Sequence, residues 1–216
     1  MAKSSVSEQS LFIPGWGAPA RLYVPGLPKE WHALELPSFR KTRGELPAYR
    51  AWLGDELDRR GRVALAGHSM GAAIALLAAI DRPDLVERLI LLSPAGLPLA
   101  KPIPASLVTW VRQVTTGRFP LSQVGRSIVR VGFAPRSALR LGRFVHQLDL
   151  RPELDGFRAN PVPAVVVGCS TDTMTPTSLC RELAGLIGAE YEEVDASDGH
   201  IWPVTSPDLL SAALPR

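Results

Sequence analysis

The stretch Val63-Ala64-Leu65-Ala66-Gly67-His68-Ser69-Met70-Gly71-Ala72-Ala73-Ile74-Ala75-Leu76-Leu77 decides how this chain is read. Its opening residues form a short apolar run of strand character, and an Ala-rich run of helical character, 72–80, follows. Between them lies a G-x-S-x-G pentapeptide, the pattern of a sharp strand-to-helix turn called a nucleophile elbow. Backbone passes so close to such a serine that only glycine fits two positions before and after it, and the hydroxyl projects above the sheet edge. Ser69 is therefore a candidate nucleophile.

Working outward, residues 9–13 predict a first strand, Pro14-Gly15-Trp16-Gly17 a turn, and the next residues a short helix broken by Pro25 and Pro28. Residues 31–36 predict a second strand. Leu46, Tyr49, Trp52, Leu53 and Leu57 recur at helical spacing within 45–60, and Gly61 ends that helix before the third strand, 62–66. After helix 69–80, Asp81-Arg82-Pro83-Asp84 interrupts, residues 87–92 form a fourth strand, and Ser93-Pro94-Ala95-Gly96 ends it. Strand 163–168, helix 177–187, strand 190–194 and helix 206–213 complete the series. Such alternation implies a parallel sheet with helices on both faces. A length of 216 residues at 46% hydrophobic composition suits one domain, 1–216, with one core.

The rhythm fails between residues 97 and 160, where Pro98, Pro102, Pro104, Pro120, Pro135 and Pro152 punctuate amphipathic pieces such as 106–115 and 137–148. This segment reads as a helical insertion. It carries Lys101 and nine arginines against Asp149, Glu153 and Asp155, a net +7 that leaves −4 on the rest of a +3 chain. Arg126 and Arg130, and likewise Arg136, Arg140 and Arg143, fall at spacings that gather charge on one helical face. A solvated surface is the ordinary meaning of such a row; docking of an acidic acyl carrier, coenzyme A or an anionic head group, or pairing with the acidic remainder, are the others. Leu107, Val108, Val111, Val114, Phe133, Leu141 and Phe144 read as core or as the wall of an apolar pocket.

In parallel sheets ligands bind beyond the carboxyl ends of the strands, so the residues that follow each apolar run carry the chemistry. Those are Gly15-Trp16-Gly17, Ser69, Ser93, Asp172 and the Asp198-Gly199-His200 turn. A serine hydroxyl is a weak nucleophile until a base accepts its proton. His200 is the candidate base, and Asp172 the acid that fixes its tautomer and stabilises its charged form. Taken alone, Asp172 is an ordinary turn residue of Ser170-Thr171-Asp172-Thr173. Its occurrence with the other two after the right strands argues for more.

From about Leu11 onward the chain resembles the α/β-hydrolase superfamily, on the evidence of Gly67-x-Ser69-x-Gly71, Gly168-x-x-x-Asp172 and Gly199-His200 in the order Ser, Asp, His. The resemblance implies a minimal, mostly parallel sheet of about six strands, a triad of Ser69, Asp172 and His200, and a lid at about 97–160 that shapes the acyl pocket. It also implies an oxyanion hole from the backbone N–H groups of Met70, after the nucleophile, and Trp16, in the first-strand loop. Many members carry His-Gly there, where this chain has Pro14-Gly15-Trp16-Gly17. The tryptophan resembles the His-Gly-Trp-Gly subgroup that includes the carboxylesterase of biotin synthesis, which acts on a pimeloyl carrier-protein methyl ester. The implied activity is hydrolysis of a small-molecule carboxylic ester or acyl thioester through an acyl-enzyme, with no cofactor.

Composition excludes several classes. No stacking aromatics interleave the arginines, so nucleic acid is not an expected partner. Cys169 and Cys180 have no framework spacing, and neither C-x-x-C nor H-E-x-x-H occurs, which predicts reduced thiols and no metal. The longest apolar run, 72–80, falls short of the ~20 residues of a membrane span. Residues 1–10 lack the build of a secretory signal, so a cytoplasmic location is expected. Two rival readings remain. One is a non-catalytic ligand- or partner-binding module on the same fold. The other is an NAD-dependent dehydrogenase, suggested by Gly15-x-Gly17-x-x-Ala20 with Glu35 beyond it, although Pro19 and Pro25 oppose the long helix such a fingerprint needs.

Overall fold

Near-continuous apolar runs in the central strands bury both faces of this sheet, while the last strand, at its edge, is largely exposed. The computed structural model describes residues 10–99 and 121–214, with side chains excepted for 121–124. Six strands, β1 (Ser10–Ile13), β2 (Trp31–Ala33), β3 (Val63–His68), β4 (Val86–Leu92), β5 (Ala164–Cys169) and β6 (Glu190–Val194), lie in the order β2-β1-β3-β4-β5-β6. Each neighbouring pair is parallel. The central register sets Ile13 beside Gly67 and His68 beside Leu92, so β1, β3 and β4 end at one level.

The helices among the described residues are α1 (Phe39–Thr42), α2 (Leu46–Arg60), α3 (Met70–Asp81), α4 (Leu121–Gly132), α5 (Pro135–His146), α6 (Leu154–Ala159), α7 (Thr177–Ile187), α8 (Trp202–Thr205) and α9 (Pro207–Ala213). Leu11, Ile13, Leu65, Leu89, Leu91 and Val166 point into the larger core, against α2, α3, α6 and α7. Their neighbours in sequence, among them Phe12, Ala66, Ile90 and Val167, face a thinner layer made by Leu22, Tyr23, Trp202 and Leu210. α3 is apolar all round because it is buried all round, between the sheet and α2.

Two expectations need correction. The second strand, expected over 31–36, ends at Ala33. Among the described residues β2 is an edge strand paired only with β1, and beyond it the Glu35 carboxylate accepts the Ala20 N–H at 2.9 Å. Phe133 and Phe144, expected in core or pocket wall, are 81% and 48% exposed, whereas Leu141 is buried. The pieces 106–115, with Leu107, Val108, Val111 and Val114, lie outside the described residues.

The described part of the insertion rests on the loops that follow β1 and β2. The Trp16 indole N–H donates to the Ala138 carbonyl of α5 at 3.1 Å, and its ring packs against Phe39. Gly44, at φ 70°, lies so near the Ser137 backbone that a Cβ there would collide with the Ser137 carbonyl. Arg140 pairs with Glu45 at 3.1 Å, and Arg130 reaches Glu35 and the Leu36 carbonyl. With Arg151, which pairs with Glu182 at 2.6 Å, three arginines of the basic segment thus meet acids of the remainder.

Candidate active site

Ser69 sits between β3 and α3 at φ 55° and ψ −119°, a conformation that side chains other than glycine's adopt at a cost of about 1–3 kcal/mol. Surrounding bonds hold it there. Its N–H donates to the Leu92 carbonyl at 3.0 Å, and its carbonyl accepts from Ala72 and Ala95 at 3.0 and 3.1 Å. The flanking glycines are required by space: a Cβ on Gly67 would strike the Gly71 carbonyl, and one on Gly71 the Ile13 carbonyl. Gly15 brings the β1 loop alongside, with a Cβ there 3.5 Å from that of Ser69.

The three residues predicted from the strand ends meet. His200 Nε2 is 2.8 Å from Ser69 Oγ, and His200 Nδ1 is 2.8 Å from Asp172 Oδ2. A carboxylate only accepts, so Nδ1 carries the proton and the Nε2 lone pair faces the serine hydroxyl. Asp172 Oδ1 also accepts the N–H groups of Met174 and Thr175, at 2.8 and 3.0 Å, and Oδ2 the Thr175 hydroxyl at 2.7 Å. Burial alone would raise this carboxyl; His200 and the Thr175 hydrogen bonds outweigh it and bring the pKa down to about 2. Asp172 and His200 are each 4% exposed, so the pair is shielded from water.

Met70 opens α3, where the first N–H groups of a helix have no intrahelical acceptor. Trp16 lies on the β1 loop directly after Gly15.

Sequence reasoning did not find Thr175 or Tyr23. Thr175 follows Asp172 by three residues, the spacing of an Asx or ST turn, which is a usable signal. Tyr23, whose hydroxyl lies 2.8 Å from His68 Nδ1, is 45 residues from its partner and leaves no local signal. The dinucleotide reading fails here. β1 is followed by two three-residue 3-10 turns, Ala20–Leu22 and Val24–Gly26, with no helix N-terminus to hold pyrophosphate. Glu35, its candidate ribose ligand, is engaged by Ala20 and Arg130.

A family model described as "Alpha/beta hydrolase family" matches residues 11–213. The chain belongs to the alpha/beta hydrolase family. Among curated proteins, this family member is 26% identical over 166 residues to a pyrrolizixenacetamide deacetylase of Xenorhabdus hominickii. The match covers 67% of this chain and 60% of that protein, less than two thirds of the relative's length. Among solved structures, the enol-lactonase of Burkholderia xenovorans LB400 superposes with a TM-score of 0.71 at 20% identity, covering 94% of this chain and 89% of that one. A lipase-esterase related protein of Clostridium acetobutylicum ATCC 824 does so at 0.72 and 13%, covering 98% and 95%. Both likenesses show the fold of the family. Among the described residues no helix is long and apolar enough to cross a membrane.

Proposed function

We propose that this alpha/beta hydrolase family member is a serine hydrolase that cleaves a carboxylic ester or thioester through an acyl-enzyme. The carrying observation is the unbroken Ser69–His200–Asp172 chain, with both links at 2.8 Å and the His200 lone pair aimed at the hydroxyl. Ser69 Oγ bonds to the substrate carbonyl carbon while its proton passes to His200 Nε2. The Met70 and Trp16 backbone N–H groups receive the negative charge that develops on the carbonyl oxygen. Collapse breaks the bond to the alcohol or thiol, which leaves with the His200 proton. Water, deprotonated by His200, then attacks the acyl carbon, and Ser69 departs with its proton restored. Asp172 keeps the imidazole in the right tautomer and offsets its transient positive charge. The balance closes without a cofactor.

In this reading the insertion between β4 and β5 is the lid, and its exposed Arg126, Arg136 and Arg143 are the groups that would meet an acidic acyl carrier. The deacetylase match favours a second reading, in which the acyl group leaves an amide nitrogen.

The test is hydrolysis of p-nitrophenyl esters from acetate to decanoate, with p-nitroacetanilide beside them, by wild type and Ser69→Ala. Ester turnover that vanishes in the variant, at an unchanged Tm, is the expected outcome, because an elbow hydroxyl does not pack the core. Anilide turnover exceeding that of every ester would favour the amide reading. Equal ester turnover in both proteins would sink the serine mechanism, and binding of esters without turnover would return the chain to the binding-module class.

A further inference from the structure

Sheet order sets this site a geometric problem. Ser69 follows β3, whereas His200 follows β6, three strands away at the sheet edge. At about 4.8 Å per strand the histidine loop must reach back roughly 14 Å. Asp172 orients the imidazole ring by its Nδ1 atom and leaves the backbone of that loop to be held by something else.

His68, the residue before the nucleophile, holds it. Its Nε2 lies 2.9 Å from the His200 carbonyl oxygen. A carbonyl only accepts, so Nε2 carries the proton and Nδ1 the lone pair. Nδ1 then accepts the Tyr23 hydroxyl at 2.8 Å, and the Tyr23 oxygen accepts the Gly15 N–H at 3.2 Å. Each of the three donors has one acceptor, and Tyr23, His68 and His200 are each less than 5% exposed. A charged His68 would place a second cation beside the His200 ring, 4.9 Å away. The donor pattern requires His68 to be neutral, which leaves His200 free to take the serine proton.

We infer that Tyr23 and His68 are positioning residues, forming one buried hydrogen-bond chain from the Gly15 amide to the His200 carbonyl that fixes the spacing between the oxyanion loop and the base. Gly15 directly precedes Trp16, so the chain sets the proposed oxyanion donor and the base in one frame. The inference rests on the serine-hydrolase reading above. It assigns His68 a role apart from elbow geometry, since the elbow itself demands only the glycines and the serine.

Tyr23→Phe is the informative variant, because it keeps the ring that packs against Phe12 and removes only the hydroxyl. His68→Leu breaks both of the imidazole's bonds, and His68→Gln keeps a donor for the His200 carbonyl. The readouts are kcat and KM on a p-nitrophenyl ester and the rate at which a fluorophosphonate, which loses fluoride as it bonds to Ser69 Oγ, labels the protein. All are measured at a temperature where circular dichroism shows every variant folded, with Ser69→Ala as control.

Tyr23→Phe and His68→Leu are expected to lower kcat and the labelling rate by about 10- to 100-fold, the range a small misplacement of reacting groups produces. KM should stay within about twofold, as for an interaction that acts on the transition state. His68→Gln should recover part of the loss, and Tyr23→Phe added to His68→Leu should cost nothing further, since both cut the same chain. A wild-type kcat in Tyr23→Phe beside an inactive Ser69→Ala would overturn the positioning role and leave the hydrolase reading intact. Multiplying losses in the double variant would also overturn it. Turnover by Ser69→Ala would overturn the hydrolase reading itself.

Discussion

Ser69 is held in a backbone conformation its side chain disfavours, and two buried ionisable groups beside it give that arrangement a pH signature. Burial first, and the nearby His200 second, push the His68 pKa from 6.5 down to about 3. As pH falls below 6.5 the unfolded chain accepts a proton that folded His68 refuses, so stability falls with pH between 6.5 and 3, by about 1.4 kcal/mol per unit at most. Asp172 adds a second loss. Its carboxyl titrates at 3.8 unfolded and about 2 folded, so its contribution is present above 3.8 and disappears as pH falls toward 2. The urea midpoint of wild type should therefore decline between pH 6.5 and 4, and that of His68→Gln should decline less over the same interval. Parallel curves for the two proteins would contradict the buried neutral histidine.

α5 is docked by the buried Ala138 and Leu141, by close backbone approach and by a few polar contacts, and Gly44 is the point where that docking has no slack. Gly44→Ala adds a Cβ that meets the Ser137 backbone and sits at a φ of 70°, so α5 must lift from the body. Trypsin should then cleave within 121–146 faster than in wild type, at Arg126, Arg136 or Arg143, while cleavage within 46–60 stays slow. Unchanged cleavage would mean that α5 is held from elsewhere. The same elements mark what the sequence reveals. β3 and α3 are legible because the elbow is a local constraint, met only by Gly67 and Gly71 around Ser69. α7 and β6 match their expected limits because Gly188, in the left-handed region, stops the helix. Asp172 and His200 are legible by position, since both follow strands that end at the same edge. The Tyr23–His68 and Trp16–Ala138 contacts are not, because partners 45 and 122 residues apart are set by topology. β2 reads too long, for apolar residues continue after an edge strand has left its ladder.

Among the described residues the two faces of the sheet are unequally covered, and the thinner one depends on segments far apart in the chain. Leu210 of α9 is fully buried beside Gly26, where a Cβ would lie 2.8 Å from the Pro207 backbone. Leu210→Ala should cost about 2–5 kcal/mol, a fall in Tm of roughly 5–15 °C in a chain of this size. A loss under about 1 kcal/mol in a urea titration would show that the layer collapses to fill the gap. This arrangement also orders events in time. Ser69 emerges from the ribosome 131 residues before His200, and at about 5–20 residues per second that is an interval of roughly 7–26 seconds. Throughout it Phe12, Ile90 and the rest of the thin face lack Trp202 and Leu210, and Ser69 lacks the hydrogen bond to His200. Until Trp202 and Leu210 have been made the nascent chain carries that apolar face open, a surface that invites chaperone binding.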